Sequence, residues 1–255
     1  MIFRKPLALV AVATSALLAC GGGSEPTESA PAASEDKASV AAAATGTAAI
    51  SGKITYEGEP PAPERVRLNA DPKCAAMHKE GLQRWQLHVT DGGLADVLVY
   101  VKSGIQGSYP APAEPALLDQ KGCDYTPHML VMRAGQPLKI RNSDDTLHNI
   151  HPRPQVNAEF NIGQPRQGME STKSFDKPEV MIPVGCDVHP WMRAYISVFA
   201  HPFYAVSTGD GSFEIKGLPA GDYEVEAHHG RLKSQAQKVT VKDGETASLT
   251  FAFTS

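Results

Sequence analysis

Between residues 50 and 253 the chain is a succession of short apolar or alternating runs: "ISGKITYEG", "LADVLVYVKSG", "HMLVMRAGQPLKIRNS", "YISVFAHPF", "GSFEIKGLPAGDYEVEAHH" and "QKVTVKDGETASLTFAF". Each is rich in valine, isoleucine and aromatic residues and is bounded by glycine or proline. Alternation with a period of two gives a strand one apolar face, and turn residues at this spacing end each strand before the next begins. The pattern predicts an all-β protein made of sandwiches. One helix stands against it, with Asp71 as N-cap, Pro72 at the first helical position and "KCAAMHKE" running up to Gly81.

The N-terminus sets the compartment. Arg4 and Lys5 precede an apolar run from Pro6 to Leu18 that is too short to span a bilayer, and Ala19 precedes Cys20. Residues 1–19 are thus expected to be a signal peptide. Residues 20–46, "CGGGSEPTESAPAASEDKASVAAAATG" apart from its cysteine, have no apolar period and no aromatic residue, the composition of a disordered tether. About 210 residues remain, enough for one large or two small domains. A formal charge of −4 without a basic cluster argues against nucleic acid as a partner.

An exported chain meets an oxidising environment in which free thiols pair. Besides Cys20 there are three cysteines, Cys74, Cys123 and Cys186, so one is left over. Either Cys186 belongs to a disulfide, or Cys74 pairs with Cys123 and Cys186 stays free. The second pairing is preferred because only Cys186 has other metal-binding side chains at close spacing. In "GCDVHPWMRAYISV" it stands three residues before His189 and six before Met192. A thiolate, an imidazole and a thioether together suit copper. Zinc would accept the cysteine and histidines, but methionine is a poor zinc ligand.

Two motifs then make a resemblance specific. "YTPHMLVMRAGQPLKIRNSDDTLHNIH", residues 125–151, has two strands joined at Gly135, a second strand ending at Asn142, and His148 followed by Asn149. Together with "CDVHPWM" it resembles the plastocyanin and amicyanin class of cupredoxins over residues 117–200. The leader "LLAC" resembles the lipobox of bacterial lipoproteins, which implies lipidation of Cys20, and Gly21 after it implies outer-membrane anchoring. The cupredoxin resemblance implies a type 1 copper site with His148, Cys186, His189 and Met192 as ligands and Asn149 tethering the ligand loop. It also implies that His189, with Pro190 and Trp191 beside it, reaches an apolar docking patch; a buried Trp191 is the alternative. His151, three residues from His148, falls on the opposite face of a strand. Cys123 and His128 are a weaker candidate for a second metal site. His228 and His229, beside Gly230, are expected to face solvent, and His78, His88 and His201 have no evident partner.

The stretch 209–253 resembles the carboxypeptidase regulatory-like, transthyretin-like sandwich, with Gly217, Pro219 and Gly221 building a turn and Tyr223 anchoring the next strand. In that family the opening strands look like "ISGKITYEG" and "LADVLVYVKSG", which here precede the copper motifs. The resemblance implies nesting: a discontinuous sandwich of residues 47–108 and 204–255 around a cupredoxin domain of residues 109–203, its first boundary open between 105 and 116. No nucleophile–base pair or phosphate loop is recognisable, so a non-enzyme is expected. The resulting expectation is a lipid-anchored periplasmic type 1 copper protein that carries single electrons between redox proteins. The alternatives are a protein that stores or delivers copper, and a cell-envelope carbohydrate-binding or adhesion module with a structural copper.

Overall fold

The computed structural model describes residues 45–68 and 71–254. The leader, Cys20 and nearly all of the expected tether lie outside these residues. In chain order the elements are β1 (Ala48–Tyr56), β2 (Glu64–Val66), α1 (Pro72–Met77), β3 (Leu82–Arg84), β4 (Val89–Thr90), β5 (Gly93–Leu94), β6 (Leu98–Ser103), β7 (Ala116–Gln120), β8 (Tyr125–Thr126), β9 (Met129–Arg133) and β10 (Leu138–Asn142). They continue with β11 (His148–Pro152), β12 (Ile162–Gln164), β13 (Glu170–Lys173), β14 (Glu179–Gly185), β15 (Arg193–Phe199), β16 (Tyr204–Val206), β17 (Ser212–Leu218), β18 (Gly221–His228), β19 (Gln235–Val241) and β20 (Thr246–Phe253). The all-β expectation holds. The helix is shorter than its sequence suggested, because the chain leaves helical geometry at His78, whose amide closes on Cys74 O.

Strands from both ends of the chain share two sheets. β1 pairs with β17, β5 and, in parallel, β20, while β16, β6, β18 and β19 form the facing sheet. Ile50, Ile54, Val99, Val225, Phe213 and Phe251 fill the space between them. The hairpin "GLPAGDYEVEA" closes through Tyr223, whose hydroxyl donates to Pro219 O at 2.8 Å. The intervening strands form a second sandwich, with β13, β10, β7 and β8 in one sheet and β12, β11, β14, β15 and β9 in the other. Leu118, Met132, Leu138, Phe175 and Ile196 pack between those sheets. Gly135 turns β9 into β10 at φ +77°, where a side chain would be strained.

The two sandwiches are packed against each other. β6 reads "LVYV" with four buried residues in succession. Val99 and Val101 face the first core, whereas Leu98 and Tyr100 meet Met129 and Phe199 of the second sandwich. A strand covered on both faces has no polar side, which is why its alternation is lost. The chain passes between sandwiches near Tyr109 and again at Phe199–Ala200, and the buried guanidinium of Arg133 holds both crossings. Its Nε donates to Phe199 O at 3.2 Å and its Nη2 to Ala200 O at 2.7 Å and to Tyr109 O. Gly230 lies where a Cβ would meet the Tyr195 ring at 2.4 Å, so only glycine admits that contact.

Candidate metal centre

β11 begins at His148, and the preceding turn "NSDDTL" is shaped by a buried asparagine. Asn142 donates from Nδ2 to Thr146 O and Gln164 O, both at 2.8 Å, and accepts from Asp144 N at 2.9 Å. This brings Asp144 back over the histidine four residues on, with Oδ2 2.9 Å from His148 Nε2. Asp144 also accepts from Gly122 N at 2.9 Å and Cys123 N at 2.8 Å.

The second group of side chains comes from the loop between β14 and β15. Met192 N donates to His189 O at 2.9 Å, and His189 N points at Cys186 Sγ at 3.3 Å, so the loop is a tight turn folded around the sulfur. Asn149 ties it to β11: its Oδ1 accepts from Asp187 N at 2.6 Å and from the Cys186 thiol at 3.1 Å. The two strands thus deliver their side chains to one point. The Nδ1 atoms of His148 and His189 are 3.0 Å apart, and Cys186 Sγ is 3.8 Å from His189 Nδ1. One atom from each of these three residues falls within 4.8 Å of the others. Met192 is fully buried in the same apolar cluster as Cys186.

Burial by itself would raise the Cys186 thiol. Hydrogen bonds from His148, His189 and Asn149 outweigh it and bring the pKa down to about 6. For His148 burial opposes the charged form, but Asp144 and Cys186 raise its pKa to about 9. His189 is raised against the same burial effect by Cys186 and Asp71. A cation in place of these protons would satisfy the thiolate and both imidazoles together.

Sequence reading missed the two carboxylates that hold the far nitrogens. Asp144 stands four residues before His148, which was a local signal in "DDTLH". Asp71 is 118 residues from His189 in the chain and carried no such signal, yet its Oδ2 lies 2.8 Å from His189 Nε2. Cys74 and Cys123 are joined by a disulfide, and Cys74 Sγ approaches His189 Nε2 at 3.8 Å. The α1 segment therefore covers the loop between β14 and β15. His189 is 1% exposed and does not reach the surface, contrary to the docking edge that the resemblance implied. Pro190 is exposed, but Trp191 is half-buried, donating from Nε1 to Cys123 O at 3.0 Å, with its ring centroid 4.9 Å from that of His189.

The other histidines separate from this centre. His151 turns away to Asp187 and Glu159. Cys123 spends its sulfur on the disulfide, so it offers no thiolate to pair with His128, which faces His88 and Tyr195 instead. His78 bonds Gly122 O at 2.7 Å, His88 bonds Asp96 at 2.7 Å, and His201 packs between Phe199 and Phe203. His228 is half-buried and His229 is buried, not solvent-facing, because the second sandwich packs over the end of β18.

Residues 189–254 match the family model for the carboxypeptidase regulatory-like domain. That match takes in β15 of the second sandwich as well as β16 to β20, but not β1, β5 and β6, which complete the sandwich of β16 to β20. No curated protein sequence matches the chain. Among solved structures, a purple cupredoxin from Nitrosopumilus maritimus is 21% identical, with 33% of this chain and 99% of that one covered and a TM-score of 0.29. The Cu(I) form of an amicyanin mutant is 19% identical over 40% of this chain and 98% of that one, with a TM-score of 0.30. The copper-containing nitrite reductase of Thermus scotoductus SA-01 is 21% identical with a TM-score of 0.30; the match takes in 39% of this chain but spans only 25% of that one.

Proposed function

We propose that the protein is a type 1 copper protein that carries single electrons and is not itself an enzyme. The reading rests on the convergence of His148 Nδ1, His189 Nδ1 and Cys186 Sγ within 4.8 Å in a buried pocket, with Met192 packed beside them. The donor set fits the metal: one thiolate and two imidazoles give a trigonal site, and a thioether serves as a weak axial ligand. His148, Cys186, His189 and Met192 would hold the ion, which supplies a one-electron couple.

This chain contributes rigidity. Asn149 fixes the sulfur, Asp144 and Asp71 fix the two imidazoles through their outer nitrogens, and the Cys74–Cys123 disulfide packs against His189. Partners of this kind orient ligating histidines and raise their basicity. A site that cannot rearrange keeps the reorganisation cost of electron transfer low. The same enclosure favours retention of the ion over storage and delivery, since His189 has carboxylate and disulfide packed over it. With the leader and the Cys20 motif, we place this carrier on a lipid anchor in the bacterial periplasm, exchanging electrons with redox proteins. Copper titration followed by potentiometry tests the function: one ion per chain with a reversible one-electron couple supports it. Loss of the ion on each reduction cycle would favour a delivery protein instead.

A further inference from the structure

A second concave site lies where the two sandwiches meet, a cavity of about 350 Å³, within the range that accommodates a small organic molecule. Its walls come from the β3 segment, from the second sandwich around β8 and β15, and from the turn after β18. Trp85 and Trp191 both line it, and they are the only tryptophans in the sequence. Indole faces in a cavity stack on planar rings.

The polar groups indicate the sign of the ligand. Arg84, Arg193 and Arg231 line the cavity against two carboxylates, Asp96 and Asp124, in a chain whose overall charge is −4. Arg84 is paired with Glu64 at 3.8 Å, whereas Arg193 and Arg231 donate to neutral oxygens, Pro190 O at 3.3 Å and Gln86 Oε1 at 3.0 Å. Asp96 is already committed to His88 at 2.7 Å. His229 is 94% buried in the wall, and its Nδ1 accepts from Arg231 N at 3.2 Å. That bond places the remaining proton on Nε2, a donor with no protein partner among the described residues. Burial keeps this imidazole neutral at ordinary pH, with its pKa lowered to about 4. A metal ion does not suit the cavity, because the convergent ligand groups among the described residues all lie at the Cys186 centre or the disulfide beside it.

We propose that this cavity binds a small aromatic carboxylate, its ring between the indoles and its carboxylate met by Arg193, Arg231 and the His229 N–H. Trp191 is common to the cavity and to the ring contact with His189, so an occupant would sit one indole away from the metal centre. The proposal does not depend on copper, and its test uses the metal-free full chain. With both tryptophans in the cavity wall, intrinsic fluorescence reports on occupancy directly.

The probe is benzoate, with benzamide and cyclohexanecarboxylate as controls and equilibrium dialysis as a second readout. Benzoate should give a saturable fluorescence change, and both controls should bind at least about tenfold more weakly, the loss expected for one charge-assisted contact or one stacked face. Arg193→Ala combined with Arg231→Ala, both at exposed positions, should weaken benzoate by at least about tenfold while leaving the circular dichroism unchanged. His229→Phe should weaken it as well. No saturable signal with millimolar benzoate, equal binding of benzamide, or undiminished binding by the double arginine variant would each overturn the proposal, whatever the copper titration shows.

Discussion

Nε2 of His189 lies 2.8 Å from Oδ2 of Asp71, whose Oδ1 accepts from Lys73 N at 2.8 Å and Cys74 N at 3.0 Å to cap α1. One carboxylate therefore joins the helix cap to the loop between β14 and β15, and Thr146 adds a further bond at 3.0 Å. Although burial works against it, the bonds from Cys74 N, His189, Thr146 and Lys73 N hold the Asp71 carboxyl at about 2.

That depression gives a pH dependence. The folded pKa is below the unfolded one, so the stabilisation is complete above the unfolded value near 4 and is lost as pH falls through about 2. It amounts to about 2 kcal/mol. Urea unfolding of the metal-free protein should therefore show stability falling from pH 5 toward pH 2, with a shallower slope in Asp71→Asn. The variant keeps the cap, because the Asn oxygen still accepts from Lys73 N and Cys74 N, and should be less stable at pH 7 only through the lost charge on the His189 side. Parallel slopes for the two proteins would show that Asp71 is not anchored as described.

The Cys74–Cys123 disulfide closes a separation of 49 residues. Chain entropy puts its contribution at about 4 kcal/mol. Replacing both cysteines by serine should lower metal-free stability by roughly that amount and weaken copper retention, because Cys74 packs against His189. Peptide mapping without reductant should recover the linked pair; a bond from Cys186 to either partner would remove the thiolate that the site needs.

Arg133 bonds three carbonyls at the two crossings between sandwiches. Arg133→Met takes the side-chain donor from Tyr109 O and Ala200 O, while Phe199 O keeps its bond from Ala134 N at 2.9 Å; the cost is about 1–3 kcal/mol for each group left unpaired away from water. The expected result is a lower unfolding midpoint, and a split transition if the sandwiches then melt separately.

β6 and β16 are adjacent, Tyr100 opposite Tyr204, so the ends left by removing the second sandwich are close in space. Replacing residues 105–202 by a short glycine-serine linker should leave a folded, copper-free β protein. It would expose Leu98 and Tyr100, so the excision should carry polar substitutions there. An unfolded product would show that the outer sandwich depends on the inserted one.

Sequence legibility followed sequence distance. The convergence of Cys186 and His189 was readable because they stand with Met192 within seven consecutive residues, and His148 was brought to it by the cupredoxin resemblance of the segment around Asn142 and Asn149. The disulfide could be reasoned from parity. The cover over His189 could not, since Asp71 and Cys74 belong to another part of the chain and only the packing of α1 brings them there. His229 was misjudged for a similar reason: the end of β18 would be open in an isolated sandwich, and it is closed by a neighbour that local pattern does not reveal. The apolar run at β6 carried a trace of that neighbour, a strand without a polar face.

The axial position is tested by Met192→Gln. Met192 is fully buried beside Cys186, and an axial oxygen in place of sulfur should preserve the visible band while shifting the potential. An unchanged potential would take Met192 out of the ligand set.

The most direct measurement is the visible and EPR spectrum of the full chain with one equivalent of Cu(II), recorded for the wild type and for Cys186→Ser. An intense sulfur-to-copper band is expected in the wild type and should be absent from the variant, because no other free thiol is found among the described residues. A wild type that binds copper without such a band, or a Cys186→Ser protein that keeps it, would contradict the type 1 assignment and the electron-carrier function that rests on it.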